Sequence, residues 1–519
     1  MKRRTFIKTA GSAASIPFFL NGVQLSAMGQ SALFSGADPN SDKVLVIIQC
    51  SGGNDGLNMV IPIDQYDKLA NLRANILIPQ DKVLKLQDRF GLHPSMTGMR
   101  AMYDQGKLSV VQSAGYPNQN RSHFRSTDIW QSGSPANAYW DSGWVGRYLE
   151  SVAPGYPQGY PSDGHPHPFA ITMGTTVSET CQGTVSNMSL TLNDPFALAA
   201  LTEGSGSDVP DTPYGDELNF LRTSILQTNA YAEEITASAK KGKNLATYPT
   251  NNALATQLKN IALLISGGLQ TRVYVARIGG FDTHANQADA ADKTRGAHAN
   301  LLGALSAAIT AFQEDLRLHR LEERVLGLTF SEFGRQIKSN ASAGTDHGTA
   351  APLFVFGSCI KTHNIGSTPD IPAQPQNQEG VAMQTDFRDV YGSILQDWFG
   401  VKESDIRTML YNGYTYLPIV KSCGVATPTK DRFLEDAVQF VNFPNPFGDT
   451  TTLRFTTPGG RIRITLFDSI GSELGTVTDQ QFPSGEQQLL FDGSRLSPGN
   501  YYLRFQGVNF VKTGRIVKM

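Results

Sequence analysis

Carboxylate and imidazole groups lie beside two apolar segments in the middle of the chain. Glu332 comes shortly after the run from Arg324 to Phe330, and Asp346 and His347 come shortly before the run from Pro352 to Gly357. Each run has the length and composition of a buried strand. Adjacent Asp and His offer an oxygen and a nitrogen, which divalent ions from Mg²⁺ to Zn²⁺ accept as ligands. These three residues are candidate metal ligands; the alternative is a solvated loop in which Asp346 only caps a turn.

Two other apolar strands end in residues of the same kinds. The strand predicted over residues 43–50 leads into a glycine-rich turn that contains Asp55, and the strand over residues 271–278 leads to Asp282 and His284. In an open α/β sheet the carboxyl ends of parallel strands meet at one edge, where ligands bind. We therefore predict that these residues join the first three in one metal site. A tight turn without function is the alternative for Asp55.

A candidate nucleophile follows the strand predicted over residues 108–114. Ser122 is predicted at the cap of a helix, where free N–H groups and the helix dipole favour an anion and ease ionisation of a hydroxyl. A nucleophile activated by a metal would occupy such a position. Arg121 and Arg125 beside it are candidates for holding an anionic group. A simple N-cap serine flanked by solvated arginines is the alternative.

The elements that must position these residues form a layered α/β domain. The segment from residue 216 to 267 is predicted to be helical, and residues 134–168, rich in Pro, Gly, Tyr and Trp, are predicted to form a long loop over the sheet. A further helix is predicted before residue 324, where apolar residues recur at spacings of three and four. These residues are Leu301, Leu305, Ile309, Phe312 and Leu316. This helix predicts a right-handed parallel crossover between strands 271–278 and 324–330.

Length and charge restrict the class of protein. A chain of 519 residues predicts two or three domains. The content of 40% hydrophobic and 17% charged residues is typical of a folded soluble protein, and the net charge of -2 gives no electrostatic case for a nucleic-acid partner. Among the cysteines, Cys50 and Cys359 are predicted as buried apolar side chains. Cys181 and Cys423 lie in polar segments and could form a disulfide.

The N-terminus has the pattern of an export signal. The paired arginines of Arg3–Lys8 precede a modest apolar segment with small residues near Ala27. The segment is too short and too interrupted for the ~20 apolar residues of a membrane span. It therefore predicts a twin-arginine signal over residues 1–28, followed by a linker over residues 29–42. The partner implied is the twin-arginine translocase, which exports folded proteins. The predicted route of export passes through the periplasm.

The composition changes after residue 425. A linker is predicted over residues 426–442, and residues 443–519 are predicted to form a small all-β sandwich with Gly and Pro turns. The predicted strands are Thr452–Phe455, Ile462–Phe467, Gln488–Phe491 and Tyr501–Phe505.

These motifs resemble known families. The order of ligand-like residues over residues 43–425 resembles the alkaline phosphatase and sulfatase superfamily, which implies a three-layer sandwich with a mostly parallel sheet. The Gly-Gly-Asn-Asp-Gly-Leu-Asn, Asn-Arg-Ser-His-Phe, Gly-Phe-Asp-Thr-His, Ser-Glu-Phe-Gly-Arg and Thr-Asp-His-Gly motifs are more closely similar to a family of unknown function, domain of unknown function 1501, within that superfamily. The resemblance implies metal ligands at Asp55, Asp282, His284 and His347, with Ser122 as nucleophile.

One motif departs from the superfamily pattern. Ser331 and Glu332 occupy the place where phosphatases of the superfamily have an Asp-His pair, so one imidazole is missing. The departure leaves Ca²⁺, Mg²⁺, Mn²⁺ or a single Zn²⁺ open. A formylglycine sulfatase is disfavoured, because neither Cys50 nor Ser122 lies in the required Cys-x-Pro-x-Arg pattern or its serine form.

The C-terminal segment resembles a different family. The Asn-Pro-Phe sequence at Asn445–Phe447, the segment Leu496–Leu503 and the tail Lys512–Lys518 are similar to the sorting domain of the type IX secretion system. The resemblance implies the type IX machinery as a partner and a secreted or cell-surface location. A carbohydrate-binding or fibronectin-like module is the alternative.

Together these observations predict an exported metal-dependent hydrolase that acts on an anionic phosphate or sulfate ester. A non-catalytic surface binding or structural protein that retains the fold is the competing hypothesis.

Overall fold

The structure is a computed structural model that describes residues 18–20, 23–25, 42–198, 213–421, 423, 440–457, 459–468, 473–483, 485–506 and 511–519. The chain divides into two compact units, Met1–Gly424 and Val425–Met519. The predicted signal peptide and first linker lie outside the described residues, except for Asp42 and a short antiparallel hairpin of Phe18–Leu20 with Val23–Leu25. Within the described residues no helix combines the length and hydropathy that crossing a membrane requires.

A nine-stranded sheet forms the centre of the first unit. Its strands are β1 Val44–Cys50, β2 Leu108–Gly115, β3 Ala170–Met173, β4 Ser189–Leu192, β5 Val273–Ile278, β6 Val325–Phe330, β7 Ala351–Phe356, β8 Asn364–Ile365 and β9 Thr385–Asp386. Their order is β8-β2-β7-β6-β1-β5-β3-β4, with β9 also paired to β2. All pairings are parallel except those of β7, which runs antiparallel to β6 and β2. The mostly parallel sheet predicted from the sequence is confirmed.

The direction of β7 matters for the site. Strands β6 and β7 are neighbours in both sequence and sheet, and a connection of 331–350 without a crossover helix joins them as an antiparallel pair. The start of β7 therefore lies at the same edge as the carboxyl ends of β1, β2, β5 and β6. Residues before β7 can meet residues after the other strands.

Helices cover both faces of the sheet. They are α1 Gly56–Met59, α2 Tyr66–Arg73, α3 Thr97–Asp104, α4 His123–Ser132, α5 Trp144–Val152, α6 Pro213–Lys241, α7 Ala253–Ser266, α8 Ala297–Leu318, α9 Phe387–Phe399 and α10 Glu403–Met409. Successive residues of β1 point to opposite faces: Leu45 and Ile47 pack with Trp130 of α4 and Trp398 of α9. Val44, Val46 and Ile48 pack on the other face with apolar residues of α3, α7 and α8. These two cores confirm the three-layer α/β/α arrangement.

The parallel crossover predicted from the apolar spacing is also confirmed, and its right-handedness stays a prediction. Helix α8 lies between β5 and β6 in sequence, and both strands pair in parallel with β1. Helices α6 and α7 account for the predicted helical segment. A small antiparallel sheet of Val60–Pro62, Phe90–Leu92 and Leu84–Lys85 completes the unit.

The long loop predicted over residues 134–168 is wrong in part, because it contains helix α5. Trp144, Val145, Tyr148 and Leu149 of this helix are all buried. Their spacing of three and four is an amphipathic pattern that the surrounding Pro and Gly residues obscure. The Trp144 ring stacks on Tyr391 with a centroid distance of 4.2 Å. Trp144 is thus a core residue.

The disulfide differs from the sequence expectation. Cys359 pairs with Cys423, and their Cα atoms lie 5.5 Å apart, whereas Cys50 and Cys181 are buried free thiols. The pairing suggested for Cys181 and Cys423 is therefore wrong, because only the tertiary structure brings the end of β7 next to residue 423. A disulfide is typical of a protein that works in an oxidising compartment.

The second unit consists of two antiparallel sheets. One has the order Phe440–Phe443, Thr450–Thr457, Gly485–Asp492, and the other has the order Glu473–Phe482, Gly460–Phe467, Gly499–Gln506, Val511–Lys518. Inward residues of both sheets, including Leu453, Ile464 and Leu503, form one core. The predicted all-β fold is confirmed, and Phe440–Phe443, Glu473–Phe482 and Val511–Lys518 are additional strands. Glu473–Phe482 is rich in polar residues, so it lacks the clear alternation of apolar residues that marks the four predicted strands.

Candidate metal centre

Three side chains from three segments bring ligand atoms together at one edge of the central sheet. His123 is the first residue of α4, just after β2, Asp282 follows β5, and His347 precedes β7. Their ligand atoms all lie within 4.8 Å of one another. The shared edge follows from the sheet topology, since β2 and β5 run in one direction and β7 in the other. Asp282 and His347 were predicted as ligands, and His123 was not.

His284 extends this group from the side of Asp282 and His347. The Nε2 atom of His284 lies 3.1 Å from Asp282 Oδ1 and 3.0 Å from His347 Nε2. His347 Nε2 lies 3.4 Å from Asp282 Oδ1, and His123 Nε2 lies 3.6 Å from Asp282 Oδ2. Asp282 is therefore the centre around which three imidazole rings are arranged. We call these four residues the metal-site group.

The Nδ1 atom of each of the three histidine rings lies within hydrogen-bond distance of an oxygen atom. His123 Nδ1 lies 2.8 Å from Glu332 Oε1, and His284 Nδ1 lies 2.9 Å from Asp346 Oδ1. His347 Nδ1 lies 2.9 Å from the carbonyl oxygen of Arg121. Carboxylate and carbonyl oxygens accept, so each Nδ1 carries the proton and donates it. The lone pair of each Nε2 then faces Asp282, which is the arrangement that orients histidine ligands in metal sites.

The metal-site group fits a divalent ion. Three nitrogen lone pairs and a carboxylate face one another, and such acceptors repel unless a cation lies between them. Ligands 2.0–2.2 Å from a tetrahedral ion are separated by about 3.3–3.6 Å. The separations of 3.1 and 3.4 Å around Asp282 Oδ1 lie close to that range. The group therefore has the donor types and spacing of a metal centre.

The protonation states support the same conclusion. Partial burial raises the pKa of Asp282, but the hydrogen bond and charge of Arg335 and the nearby His284 and His123 outweigh it, and the pKa is lower than usual. Burial lowers the pKa of His347, although its hydrogen bond to the Arg121 carbonyl opposes the shift. An ionised Asp282 and a neutral His347 are the forms that bind metal.

Two glycines let the segments approach. Gly52 has a φ of +124°, and a Cβ atom there would lie 2.3 Å from the backbone nitrogen of Asp282. A Cβ atom on Gly344 would lie 2.3 Å from the carbonyl carbon of His284. Any larger residue at either position would displace the chain that carries a ligand. The glycines thus have a steric role at the site.

Arg335 connects three segments of the site through hydrogen bonds. It is 1% exposed, and its Nε donates to the Gly53 carbonyl at 2.6 Å. Its Nη1 donates to the Thr345 carbonyl at 2.9 Å, and its Nη2 donates to Asp282 Oδ1 at 2.7 Å. One guanidinium therefore fixes the turn after β1, the loop before β7 and the central carboxylate.

Glu332 and Asp346, which were predicted as metal ligands, contact the Nδ1 atoms of two histidines of the metal-site group. Glu332 is 1% exposed, and its Oε1 accepts from both Gly52 N at 2.9 Å and His123 Nδ1 at 2.8 Å. Asp346 Oδ1 accepts from His284 Nδ1 and from Asn340 Nδ2 at 3.3 Å. Each carboxylate therefore orients a ligand ring in this structure.

Asp55, also predicted as a ligand, forms a buried ion pair with Arg73. Both carboxylate oxygens lie 3.0 Å from Arg73 Nη1, and Oδ2 also accepts from Gln287 Nε2 at 2.5 Å. Asp55 is 1% exposed and Arg73 is 0% exposed. Burial raises the pKa of Asp55, but the charges of Arg73 and His298 and the hydrogen bonds outweigh it and leave the pKa low. Its oxygens are occupied by protein donors.

The residues predicted for catalysis lie in different environments. Ser122 is the exposed N-cap of α4, and its side chain makes no capping hydrogen bond. Arg125 pairs with Asp128, donates to the carbonyls of Pro135, Ala136 and Ala138 and stacks on Tyr139 at 3.9 Å. Arg125 therefore fixes the following loop and has no free face for an anion. The expectation of a substrate-binding role does not hold for it.

His123 is a candidate metal ligand that the sequence analysis did not predict. It follows Ser122 in the Asn-Arg-Ser-His-Phe motif, in which only the serine was predicted to have a function. The departure at Ser331-Glu332 was a signal that could have identified His123, because a carboxylate there needs a partner. His123 replaces the missing imidazole from another strand end, and Glu332 holds it.

A pH dependence of stability follows from two histidines buried beneath the site. Burial lowers the pKa of His298 to about 4 and that of His93 to about 3. An unfolded chain protonates histidine near pH 6.5, so the unfolded state binds more protons below that pH. Above pH 6.5 we expect the free energy of unfolding to keep its full value. Between pH 6 and 4 it should fall as the pH falls, by on the order of 1 kcal/mol per pH unit for each ring.

Urea unfolding of chelator-treated protein at pH 7, 6 and 5 measures this slope. All four tryptophans lie in the first unit, so their fluorescence reports on it alone. The His298→Gln variant should lose about half of the slope. A wild-type stability that stays constant from pH 7 to 5 would contradict the prediction.

Comparison with solved structures finds alkaline-phosphatase and sulfatase folds at low identity. A protein of the alkaline phosphatase superfamily from Vibrio parahaemolyticus is 9% identical, with 89% of this chain and 86% of that chain covered and a TM-score of 0.32. The phosphonate monoester hydrolase from Silicibacter pomeroyi is 10% identical, with 91% and 88% covered and a TM-score of 0.33. PorZ, a surface component of the type IX secretion system of Porphyromonas gingivalis, is 18% identical over 20% of this chain and 14% of its own, with a TM-score of 0.13. These likenesses carry no information about activity.

Family comparisons assign both units. No curated protein matches the sequence. Residues 442–519 match the secretion system C-terminal sorting domain, which implies interaction with the type IX secretion machinery and secretion or attachment to the cell surface. Residues 42–398, more than half of the chain, match the family described as "Protein of unknown function (DUF1501)", and the chain belongs to that family.

Proposed function

We propose that the protein is an exported metal-dependent hydrolase of phosphate or sulfate esters. The observation that carries the proposal is the convergence of three Nε2 atoms on Asp282, with each Nδ1 held by an oxygen. Three nitrogens and one carboxylate favour Zn²⁺ over Ca²⁺, Mg²⁺ and Mn²⁺, which are better suited by oxygen ligands. This donor set is richer in nitrogen than the motifs alone suggested.

The metal would supply a positive charge that polarises the ester and lowers the pKa of a neighbouring hydroxyl group or water. The protein residues position that chemistry. Glu332, Asp346 and the Arg121 carbonyl orient the histidines, and Arg335 keeps the Asp282 carboxylate ionised. The site therefore presents a fixed set of donors at an accessible edge, since Asp282 is 48% exposed.

Arg121 supports an anionic substrate. Its carbonyl accepts from His347, so its backbone is fixed beside the metal-site group. Its half-buried guanidinium has no hydrogen bond or ion pair within the described part of the chain. A guanidinium offers two parallel N–H groups that match the oxygens of a phosphate or sulfate. We propose that Arg121, rather than Arg125, holds the ester.

Ser122 is the proposed nucleophile, and its replacement tests this role. Its hydroxyl is exposed, makes no capping bond and belongs to the residue before the ligand His123. We expect Ser122→Ala to keep its fold and its metal while hydrolysis falls by about three orders of magnitude or more. Rates on aryl phosphates, phosphodiesters and aryl sulfates, with metal content by mass spectrometry, measure the effect. A covalent phosphoserine trapped in acid would support it, whereas a fully active variant would leave activated water as the nucleophile.

The proposed function as a whole is tested by the same panel on purified wild-type protein. One ion per chain and turnover of at least one ester class is the expected result. Metal without turnover on any of them would favour the non-catalytic surface protein. We also propose that residues 1–28 are a twin-arginine signal, that residues 43–425 are the functional domain, and that 29–42 and 426–439 are linkers. The second linker is shorter than the predicted 426–442, because the strand Phe440–Phe443 belongs to the second unit.

A further inference from the structure

An open groove leads away from the metal-site group along one face of α4. It has a volume of about 590 Å³, within the range of roughly 300–1,000 Å³ that small-molecule sites occupy. His123, Thr127 and Gln131 line it at spacings of four residues and so share one helix face. An ester group alone does not need this space. The groove is therefore suited to the part of a substrate that carries the ester.

An aromatic ring stands at the start of the groove. Phe124 follows the ligand His123 and is 91% exposed. Val177, on the lining as well, is 42% exposed. A single exposed phenylalanine is ordinary on a protein surface, so the ring needs independent support before it indicates a ligand.

Gln49 supplies that support. It lies on the same face of β1 as Leu45 and Ile47, beneath α4, and it lines the groove. It is only 6% exposed, yet its amide has no hydrogen-bond partner among the described residues. The amide atoms keep contact with solvent in the groove, so a ligand can reach them. Because an amide is both donor and acceptor, a hydroxyl group of a ligand satisfies it on either side.

The charges of the lining indicate a neutral ligand. Asp128 is paired with Arg125, so it adds no net charge. Glu179 and Arg277 contribute one charge of each sign. Beyond the metal-site group and Glu332, the lining thus has no excess of either sign, which gives no advantage to a polyanion or a cation.

We propose that the groove binds a neutral saccharide that bears the ester, with one sugar ring stacked on Phe124 and its hydroxyl groups bonded to the amides of Gln49 and Gln131. A pyranose has an apolar C–H face that matches the negative face of an aromatic ring. This inference rests on the proposed function for the position of the ester. The saccharide subsite itself does not require turnover.

Binding of ester-free sugars to the full chain tests the inference. The probes are four neutral tetrasaccharides, from cellulose, xylan, starch and chitin, with phosphocholine and a heparin tetrasaccharide as charged competitors, measured by calorimetry and saturation-transfer NMR. We expect at least one neutral probe to bind. Phe124→Ala should weaken it about tenfold, or about 1.4 kcal/mol, and Gln49→Leu should have a similar effect. Phe196→Ala removes an exposed phenylalanine outside the groove (57% exposed) and should change nothing.

Gln131→Ala replaces Gln49→Leu if the latter fails to fold. The proposal is overturned if no neutral probe binds, if only phosphocholine or heparin binds, or if Phe124→Ala and Gln131→Ala both bind as tightly as wild type. Sugar binding without ester turnover would leave the subsite standing and refute the hydrolase. Turnover of aryl esters without sugar binding would support the hydrolase and refute the saccharide subsite.

Discussion

Replacement of Asp282 by Asn should remove the metal and the activity together, while the protein still folds at a lower stability because buried Arg335 loses its carboxylate partner. Asp282 is the carboxylate on which all three Nε2 atoms converge, and an amide supplies no negative charge to balance a divalent ion. We expect metal content to fall from about one ion per chain to a small fraction. Ester hydrolysis should fall by several orders of magnitude, because the charge that stabilises the transition state is lost. Mass spectrometry of the metal and the ester panel measure both effects.

Asp289→Asn is the matched control for this substitution. Asp289 lies seven residues further along the same loop, and its Oδ1 accepts from the backbone nitrogens of Ala291 and Asp292. Asn can keep those bonds, so metal content and rate should stay at wild-type levels. An Asp282→Asn protein that retains a full complement of metal would show that the ion binds elsewhere.

Replacement of Asp55 by Asn should have the opposite pattern. The change leaves Arg73 charged and unpaired in a fully buried position, and breaking a buried pair costs about 3–5 kcal/mol. We expect the free energy of unfolding to fall by that amount, while the folded protein still binds its metal. Denaturant unfolding followed by tryptophan fluorescence, with metal analysis of the same samples, provides the comparison.

A double variant separates the ion pair from ligation. Asp55→Leu with Arg73→Met replaces both charges by apolar groups, which is often close to neutral for stability. The double variant should therefore be more stable than Asp55→Asn alone and should keep its metal. If Asp55→Asn lost its metal while stability stayed unchanged, Asp55 would be a ligand, as the motif resemblance implied.

The metal-site group shows why tertiary structure was needed to sort ligands from their supports. The chain pattern marks Asp55, Asp282, Glu332 and His347 in the same way, each next to the end of an apolar strand. What differs is the partner of each carboxylate. Arg73 occupies both oxygens of Asp55, and His123 and Gly52 occupy Glu332. Asp282 accepts from Arg335 at Oδ1 and still faces three imidazole rings. These partners lie up to 280 residues away in sequence.

The α/β class, the strands β1, β2, β5, β6 and β7 and the edge of the sheet that carries the candidate site could be predicted from the sequence, whereas β4, β8 and β9 were not predicted. Continuous apolar runs of six to eight residues are typical of strands that are buried on both faces in the middle of such a sheet. The sequence also marked the second unit through short alternating strands. These features are local, because period and composition are read within a few residues.

The residues that complete the candidate site became apparent from the tertiary structure. His123 enters through the pairing of β2 with β7 and the position of α4, and Cys359 finds Cys423 across 64 residues. Helix α5 was hidden because its Pro- and Gly-rich surroundings suggested a loop. In each case the outcome depends on which segments pack together, and long-range packing leaves no periodic trace in the chain.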